Sequence, residues 1–220
     1  MSYIDFLSSL HRSSRRDYLA RVCEFPKDQA AVVAKQFGPE YWDGDRRYGY
    51  GGYHYDGRWR SVAEALANQY RLQPKHRVLD VGCGKGFLLY ELSQVVPGLL
   101  ICGIDISRYA ILNAKEEVRS QLVNASAPTL PFPDHTFDLV LSLNTLHNLR
   151  CFDLEQALLE IGRVGRSHKY ICVESYRNEV EKTNLLYWQL TCESFYSPEE
   201  WSWWFQRCQY TGDHSFIFFE

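Results

Sequence analysis

The sequence predicts an α/β fold, an open and mostly parallel sheet with helices on both faces. Three observations predict it. The stretch Val78–Phe87 runs from apolar residues through Asp80 into glycines at 82, 84 and 86, and a helical pattern starts directly behind it. Short apolar runs then alternate with amphipathic segments as far as residue 174, the pattern of parallel strands joined by crossover helices. Acids stand at Asp80, Asp105 and Glu174, toward the ends of such runs, where open α/β sheets place their ligands.

Taken in order, residues 1–40 read as two helical pieces. Ser14 is positioned to cap a helix carrying Tyr18 and Val22, and Ala30 to Phe37 forms a second, ended by Gly38-Pro39. The basic residues Arg12, Arg15 and Arg16 fit a solvated helix face, with phosphate binding as the alternative. Residues 41–60 hold seven aromatics and five glycines and sustain no period, so they are predicted as loop. Glycine-rich backbone bearing large rings suits a segment that folds over a ligand; a loop merely stacked on the surface is the competing reading. Ser61 with Glu64 then has capping-box spacing before Val62, Ala65 and Leu66.

Beyond Pro74 strands and helices alternate. Strands are expected at Val78–Val81, Leu99–Ile104, Leu122-Val123, Asp138–Leu143 and Tyr170–Val173. Helices are expected over Phe87–Val95, from Ser107 through Val118, and along Leu154, Leu158 and Ile161. A further helix is placed around Leu185–Leu190, and Ser197-Pro198-Glu199-Glu200 has the cap, first-turn proline and acid that open another. Phe216–Phe219 is the last strand, all-apolar and expected to be buried on both faces. The open edge there would be covered by the tryptophan-bearing helix or by another subunit, so a homodimer is compatible with the sequence. Two regions result: 1–72, N-terminal helices plus the aromatic segment, and 73–220, the sheet domain.

Composition narrows the function. A length of 220 residues, 45% hydrophobic, suits one large domain. The net charge of −3 argues against nucleic-acid binding driven by charge. Seven cysteines without CxxC spacing argue against a zinc site and a disulfide framework. No apolar run is long enough for a bilayer and the first ten residues do not read as a leader, so the expected setting is cytoplasmic, without membrane attachment.

The glycine turn discriminates between ligands. A dinucleotide fingerprint requires G-x-G-x-x-G so that a pyrophosphate can rest on the helix N-terminus. Here the third glycine position is occupied by Phe87, whose ring would crowd that phosphate, and Asp80 sits better beside a cation.

The pattern Asp80-x-Gly82-x-Gly84-x-Gly86 resembles the first motif of the class I S-adenosylmethionine-dependent methyltransferases, whose fold is Rossmann-like. Asp105 matches the acid that hydrogen-bonds the ribose in that family, and Ser126-Ala127-Pro128-Thr129-Leu130-Pro131-Phe132 resembles its acid-Ala-x-x-Leu-Pro-Phe element. The resemblance implies S-adenosylmethionine as cofactor and 73–220 as the methyltransferase domain. It implies that Asp80, Gly82 and Gly84 border the methionine part, that Ile106 lies beside the adenine, and that Cys83, Gly86, Ser126, Ala127 and Asn144 complete the cofactor site. Ser126 departs from the family's usual Asp. The resemblance also implies an antiparallel last strand, here in an abbreviated C-terminal end, and the N-terminal segment and the end of the chain resemble methyltransferases encoded with bacterial surface-polysaccharide genes.

Methyl transfer needs alignment above all, and a base only for a poor nucleophile. His147 and His54 are the candidates for that base, and Tyr50 is a catalytic candidate as a hydrogen-bond donor or ring face beside the sulfonium. Tyr48, Tyr53, Arg46, Arg58, Glu174 and Tyr176 are the candidates for acceptor contacts, because guanidinium offers a two-pronged grip on phosphate or carboxylate. The expected acceptor is a small molecule such as a sugar or nucleotide-linked sugar. RNA or protein acceptors, and a non-catalytic cofactor-binding or partner-activating subunit, are the alternatives.

Overall fold

The structure, a computed structural model, describes residues 1–12 and 16–220; Ser14 and Arg15 lie outside them. Four short helices come first: α1 (Ser8–Arg12), α2 (Tyr18–Cys23), α3 (Lys27–Ala34) and α4 (Pro39–Trp42). The aromatic segment leads to α5 (Arg60–Gln69), β1 (Arg77–Val81), α6 (Phe87–Val95), β2 (Leu100–Asp105), α7 (Arg108–Leu112), α8 (Glu116–Arg119) and β3 (Leu122–Asn124). The chain continues through β4 (Phe137–Leu143), a 3-10 turn at Leu146–Asn148, α9 (Cys151–Val164), β5 (Gly165–Glu174), α10 (Glu179–Trp188), α11 (Pro198–Arg207) and β6 (Asp213–Ile217).

These strands form one sheet in the order β3-β2-β1-β4-β5-β6. The order reverses direction at β1 and β4, so their carboxyl ends flank a crevice where ligands bind in such sheets. Successive residues face opposite layers. Leu139 and Leu141 of β4 and Tyr170 and Cys172 of β5 join the core with Leu66, Leu89 and Leu92. Val140, Ile171 and Val173 join the other, with Leu158, Trp201 and Phe205. That alternation is the period of two expected of strands buried on both faces.

Four expectations require correction. The last strand is parallel, pairing Tyr170 with Asp213 through Glu174 with Ile217 in rising register. Residues 175–212 contain α10 and α11, which return the chain to the start of the sheet; an antiparallel hairpin would need only a short turn. The strand also begins in the polar stretch at Asp213, made compatible with burial by the 2.6 Å hydrogen bond between Ser215 Oγ and Tyr170 Oη. Its edge is met by the chain's own N-terminus, where Ile4 N donates to His214 O (2.9 Å) and His214 N to Ser2 O (3.0 Å). Third, the helix from Ser107 breaks into α7 and α8, because Lys115 N turns aside to donate to Lys85 O at 3.0 Å. Finally, α5 starts one residue before Ser61 without a side-chain cap, and Glu64 is held by Arg60 at 2.9 Å instead. The capping box at Ser197 and Glu200 does form.

Candidate active site

The glycine turn after β1 is clasped from three sides. Gly82 N and Cys83 N both donate to Ile104 O, at 2.8 and 2.9 Å. Gly82 has φ +86°, and a Cβ there would stand 2.0 Å from Thr145 Oγ1, just past β4, so only glycine fits. Gly84 N donates to Asp105 Oδ2 at 2.8 Å, and a Cβ on Gly84 would meet the Trp42 ring at 2.9 Å. Gly86 caps α6 and faces Val118 and Leu122, outside the cavity that the other two border.

That cavity, about 230 Å³, lies over the carboxyl ends of the strands and is bordered by Asp80, Gly82, Cys83, Gly84, Asp105, Ile106, Ser126, Ala127 and Asn144. Asp80 is 4% exposed, and its Oδ1 is buried without a hydrogen-bond partner among the described residues. Burial, reinforced by the charge of Asp105, pushes its carboxyl up to about 7. Burial also raises Asp105, although N–H donors from Ser107 and Gly84 stabilise its ionised form. Asn144 takes a left-handed backbone, φ +56°, which turns its amide toward both this cavity and the next.

The aromatic segment roofs the cavity and is fastened down by ions as well as rings. Lys85 Nζ bonds both oxygens of Asp43 at 2.7 Å and Tyr53 O at 2.9 Å. Tyr109 Oη donates to Asp43 (2.9 Å) and Trp42 Nε1 to Ser107 Oγ (2.8 Å). Trp42 stacks on Tyr50, and Tyr53 on Phe87 at 5.0 Å. Phe87 is therefore the seat of the roof.

A second cavity, about 310 Å³, adjoins the first, and Tyr41, Tyr50, Tyr53, Trp59, Asn144 and Asn148 border both. His54, His147, Arg46, Arg58 and Glu174 line it, as do His11, Arg16, Arg21 and Trp188. Tyr48 packs edge-on against Phe25, and Tyr176 reaches Glu200 at 3.4 Å; neither borders this cavity. Arg58 is engaged by Asp56, Nε to Oδ2 2.7 Å.

His147 is not free to act on a ligand. Its Nδ1 accepts from Glu174 N at 3.4 Å, and its Nε2 stands 3.4 Å from Glu174 Oε2. Burial, then the nearby His11, lowers it to about 3, while burial raises Glu174 to about 8 against the opposing Gln189 and Arg16. At neutral pH the two are a neutral imidazole and a protonated carboxyl, not an ion pair. Tyr50 keeps 39% of its surface accessible, but that surface faces the cavities, and burial pushes its phenol up to about 12. At neutral pH it is a protonated phenol that can donate.

His11 escaped the sequence reading because α1 carries no motif. Its Nδ1 lies 3.3 Å from the Arg16 guanidinium, which only donates. The proton therefore sits on Nε2, and the Asn144 amide atom 3.4 Å away is best read as the oxygen. Burial and Arg16 lower His11 to about 4.

Residues 79–173 match the family described as a methyltransferase domain. The chain carries a class I S-adenosylmethionine-dependent methyltransferase domain. It is 34% identical over 130 residues to a demethylmenaquinone methyltransferase of Symbiobacterium thermophilum, covering 54% of this chain and 50% of that protein. It is 33% identical to the cycloartenol-C-24-methyltransferase of Arabidopsis thaliana over 44% of this chain and 33% of the other. With the mitochondrial arginine-hydroxylase NDUFAF5 of Rattus norvegicus it shares 37% identity over 38% of this chain and 24% of that one. The chain thus spans half or less of the length of these relatives.

Among solved structures, a chain of the Haloferax volcanii complex containing the Trm112 methyltransferase activator has a TM-score of 0.58 and 22% identity, covering 89% of this chain and 77% of its own. YcgJ of Bacillus subtilis has a TM-score of 0.54 and 22% identity over 67% of each chain. At that identity these show a common fold.

The methyltransferase domain fits its cofactor. The unpartnered Asp80 Oδ1 offers an acceptor to a cationic amino group, and the Asp105 carboxylate has lone pairs left for ribose hydroxyls. The rings of Trp42, Tyr50 and Tyr53 line the same space and favour a sulfonium charge. No helix among the described residues is long and apolar enough to cross a membrane.

Proposed function

We propose that the chain methylates a small-molecule acceptor, a sugar or nucleotide-linked sugar, with S-adenosylmethionine as methyl donor. The observation that carries this reading is the pair of adjoining cavities with a common wall at Tyr50, Tyr53 and Asn144. S-adenosylmethionine supplies an electrophilic methyl group on a sulfonium. The chain holds it through Asp80 and Asp105 and uses the roof at 41–59 to exclude water, so that the barrier falls chiefly by alignment. The acceptor enters the second cavity, where Arg46 meets its charged group; Arg58, on the same wall, is already paired with Asp56. The domains divide at about residue 72, with the N-terminal part serving as lid and acceptor wall.

A hydroxyl acceptor must lose a proton. With His147 turned onto Glu174, and Glu174 itself protonated at neutral pH, the base this reading assigns is His54, which lines the same cavity. The demethylmenaquinone and cycloartenol enzymes are named for small-molecule acceptors, which supports this reading over RNA or protein.

The test is transfer of labelled methyl from S-adenosylmethionine to a panel of sugar phosphates, nucleotide-linked sugars, tRNA and protein extract. Label in the sugar fraction is expected. Label confined to RNA or protein would replace the acceptor class, and thermal stabilisation by NAD but not by S-adenosylmethionine would overturn the donor.

A further inference from the structure

We infer that the acceptor cavity contains a subsite for a phosphoryl group, built by Arg16, Arg21 and Arg46 around the indole of Trp188. The inference deepens the methyltransferase reading and rests on it. The guanidinium carbons of Arg16, Arg21 and Arg46 stand 5.6, 5.2 and 5.3 Å from the Trp188 ring centroid. All three residues and the indole line the cavity. The arginines come from the segment before α2, from α2 itself and from the aromatic segment, so only the fold assembles them.

Three features point to an anion. None of these arginines forms an ion pair with a carboxylate among the described residues, whereas Arg58 in the same cavity is neutralised by Asp56. Glu174 is the carboxyl lining the cavity, and it is occupied by Gln189 and His147. Gathering three like charges around one ring is unfavourable without a counter-charge, and the attraction of the π-face offsets only part of it. The loss shows in Arg21 and Arg46, each lowered first by burial and further by a neighbouring guanidinium.

The donors are also pre-set. Arg21 Nη1 bonds Arg46 O at 2.6 Å, and Arg46 Nη1 bonds Gly49 O at 2.8 Å and Tyr50 O at 3.0 Å. These bonds fix the planes of two guanidiniums and leave other N–H groups available. Arg16 Nε is buried with no acceptor among the described residues, a donor that an arriving oxygen would satisfy. Three forks suit a phosphoryl dianion, with three acceptor oxygens, better than a single carboxylate. Arg46 is bonded to the backbone of Tyr50, whose ring borders the cofactor cavity. An acceptor anchored here by its phosphate therefore presents its other end to Tyr50 and Asn144.

The experiment is calorimetric titration of the full chain with inorganic phosphate, pyrophosphate and malonate, for wild type, R21Q, R46Q and R47Q. S-adenosylmethionine is titrated into each in parallel. Arg47 is the control, paired with Asp45 and stacked on Phe25 away from the cavity. Pyrophosphate and phosphate are expected to bind wild type and R47Q alike. Binding to R21Q and R46Q should be at least about tenfold weaker, the value of one charge-assisted hydrogen bond, with S-adenosylmethionine binding unchanged. If a glutamine variant fails to fold, R21K and R46K keep the charge and remove the fork, and an intermediate loss is expected. Undiminished pyrophosphate binding in the variants overturns the subsite, as does binding of malonate in preference to both phosphates. Failure of S-adenosylmethionine to bind wild type would instead sink the methyltransferase reading, with the anion result still readable.

Discussion

Replacing Asp80 by Asn should make the ligand-free protein more stable and its cofactor binding worse. Asp80 is buried, one of its oxygens has no partner among the described residues, and its carboxyl is pushed from 3.8 to about 7 by burial and by Asp105. Because the native state holds the proton more tightly than the unfolded state, stability falls as pH rises through that window and is lowest above 7. The difference corresponds to about 4 kcal/mol as a ceiling. An unpartnered Asn amide would itself cost about 1–3 kcal/mol, which leaves a net gain of about 2 kcal/mol for D80N at pH 8. Binding moves the other way. A cationic amino group needs the ionised carboxylate, so wild-type affinity for S-adenosylmethionine should fall up to about tenfold per pH unit below 7. In D80N it should be flat with pH and roughly ten- to hundredfold weaker at pH 8. Urea denaturation and calorimetry, each at pH 6 and pH 8, read both quantities. A D80N protein that is less stable at pH 8, or binds the cofactor with wild-type affinity, would refute the reasoning.

The G82A variant should lose cofactor binding, because its Cβ would overlap Thr145 Oγ1 at 2.0 Å on a backbone with φ +86°; thermal shift with S-adenosylmethionine checks it, with normal binding as the contrary result. For K85A, with side-chain exposures of 5% at Lys85 and 23% at Asp43, the loss should be about 2–3 kcal/mol, somewhat below a fully buried pair. Hydrogen exchange should accelerate across residues 43–56, and protection equal to wild type would show that the rings alone hold the roof. Glu174 is raised from 4.5 to about 8, so wild-type stability should fall by up to about 1.4 kcal/mol per pH unit on its account within that window. E174Q should flatten this slope, as read from denaturation midpoints between pH 5.5 and 8, and an unchanged slope would count against a protonated Glu174.

Much of the cofactor side was legible in the sequence, and the reason is local. Asp80, the glycines and Asp105 lie in or at the end of strands whose apolar runs and period reveal them, and a parallel sheet brings strand ends to one rim. Phe87 excluded a pyrophosphate for a steric reason that adjacent residues state by themselves. The second cavity was not legible. His11, Arg21 and Trp188 meet across the fold from α1, α2 and α10, and no spacing encodes that meeting. His147 stood in a motif-like position, but only the folded chain turns its two nitrogens onto Glu174. The direction of β6 was hidden too, since a strand's side-chain period is the same in either direction. The sequence determined the parallel frame and the glycine turn with its flanking acids, because both follow from local periodicity and turn chemistry. Tertiary structure alone decided the walls of the second cavity, the partner of His147 and the direction of the last strand, because each depends on contacts between residues distant in the chain.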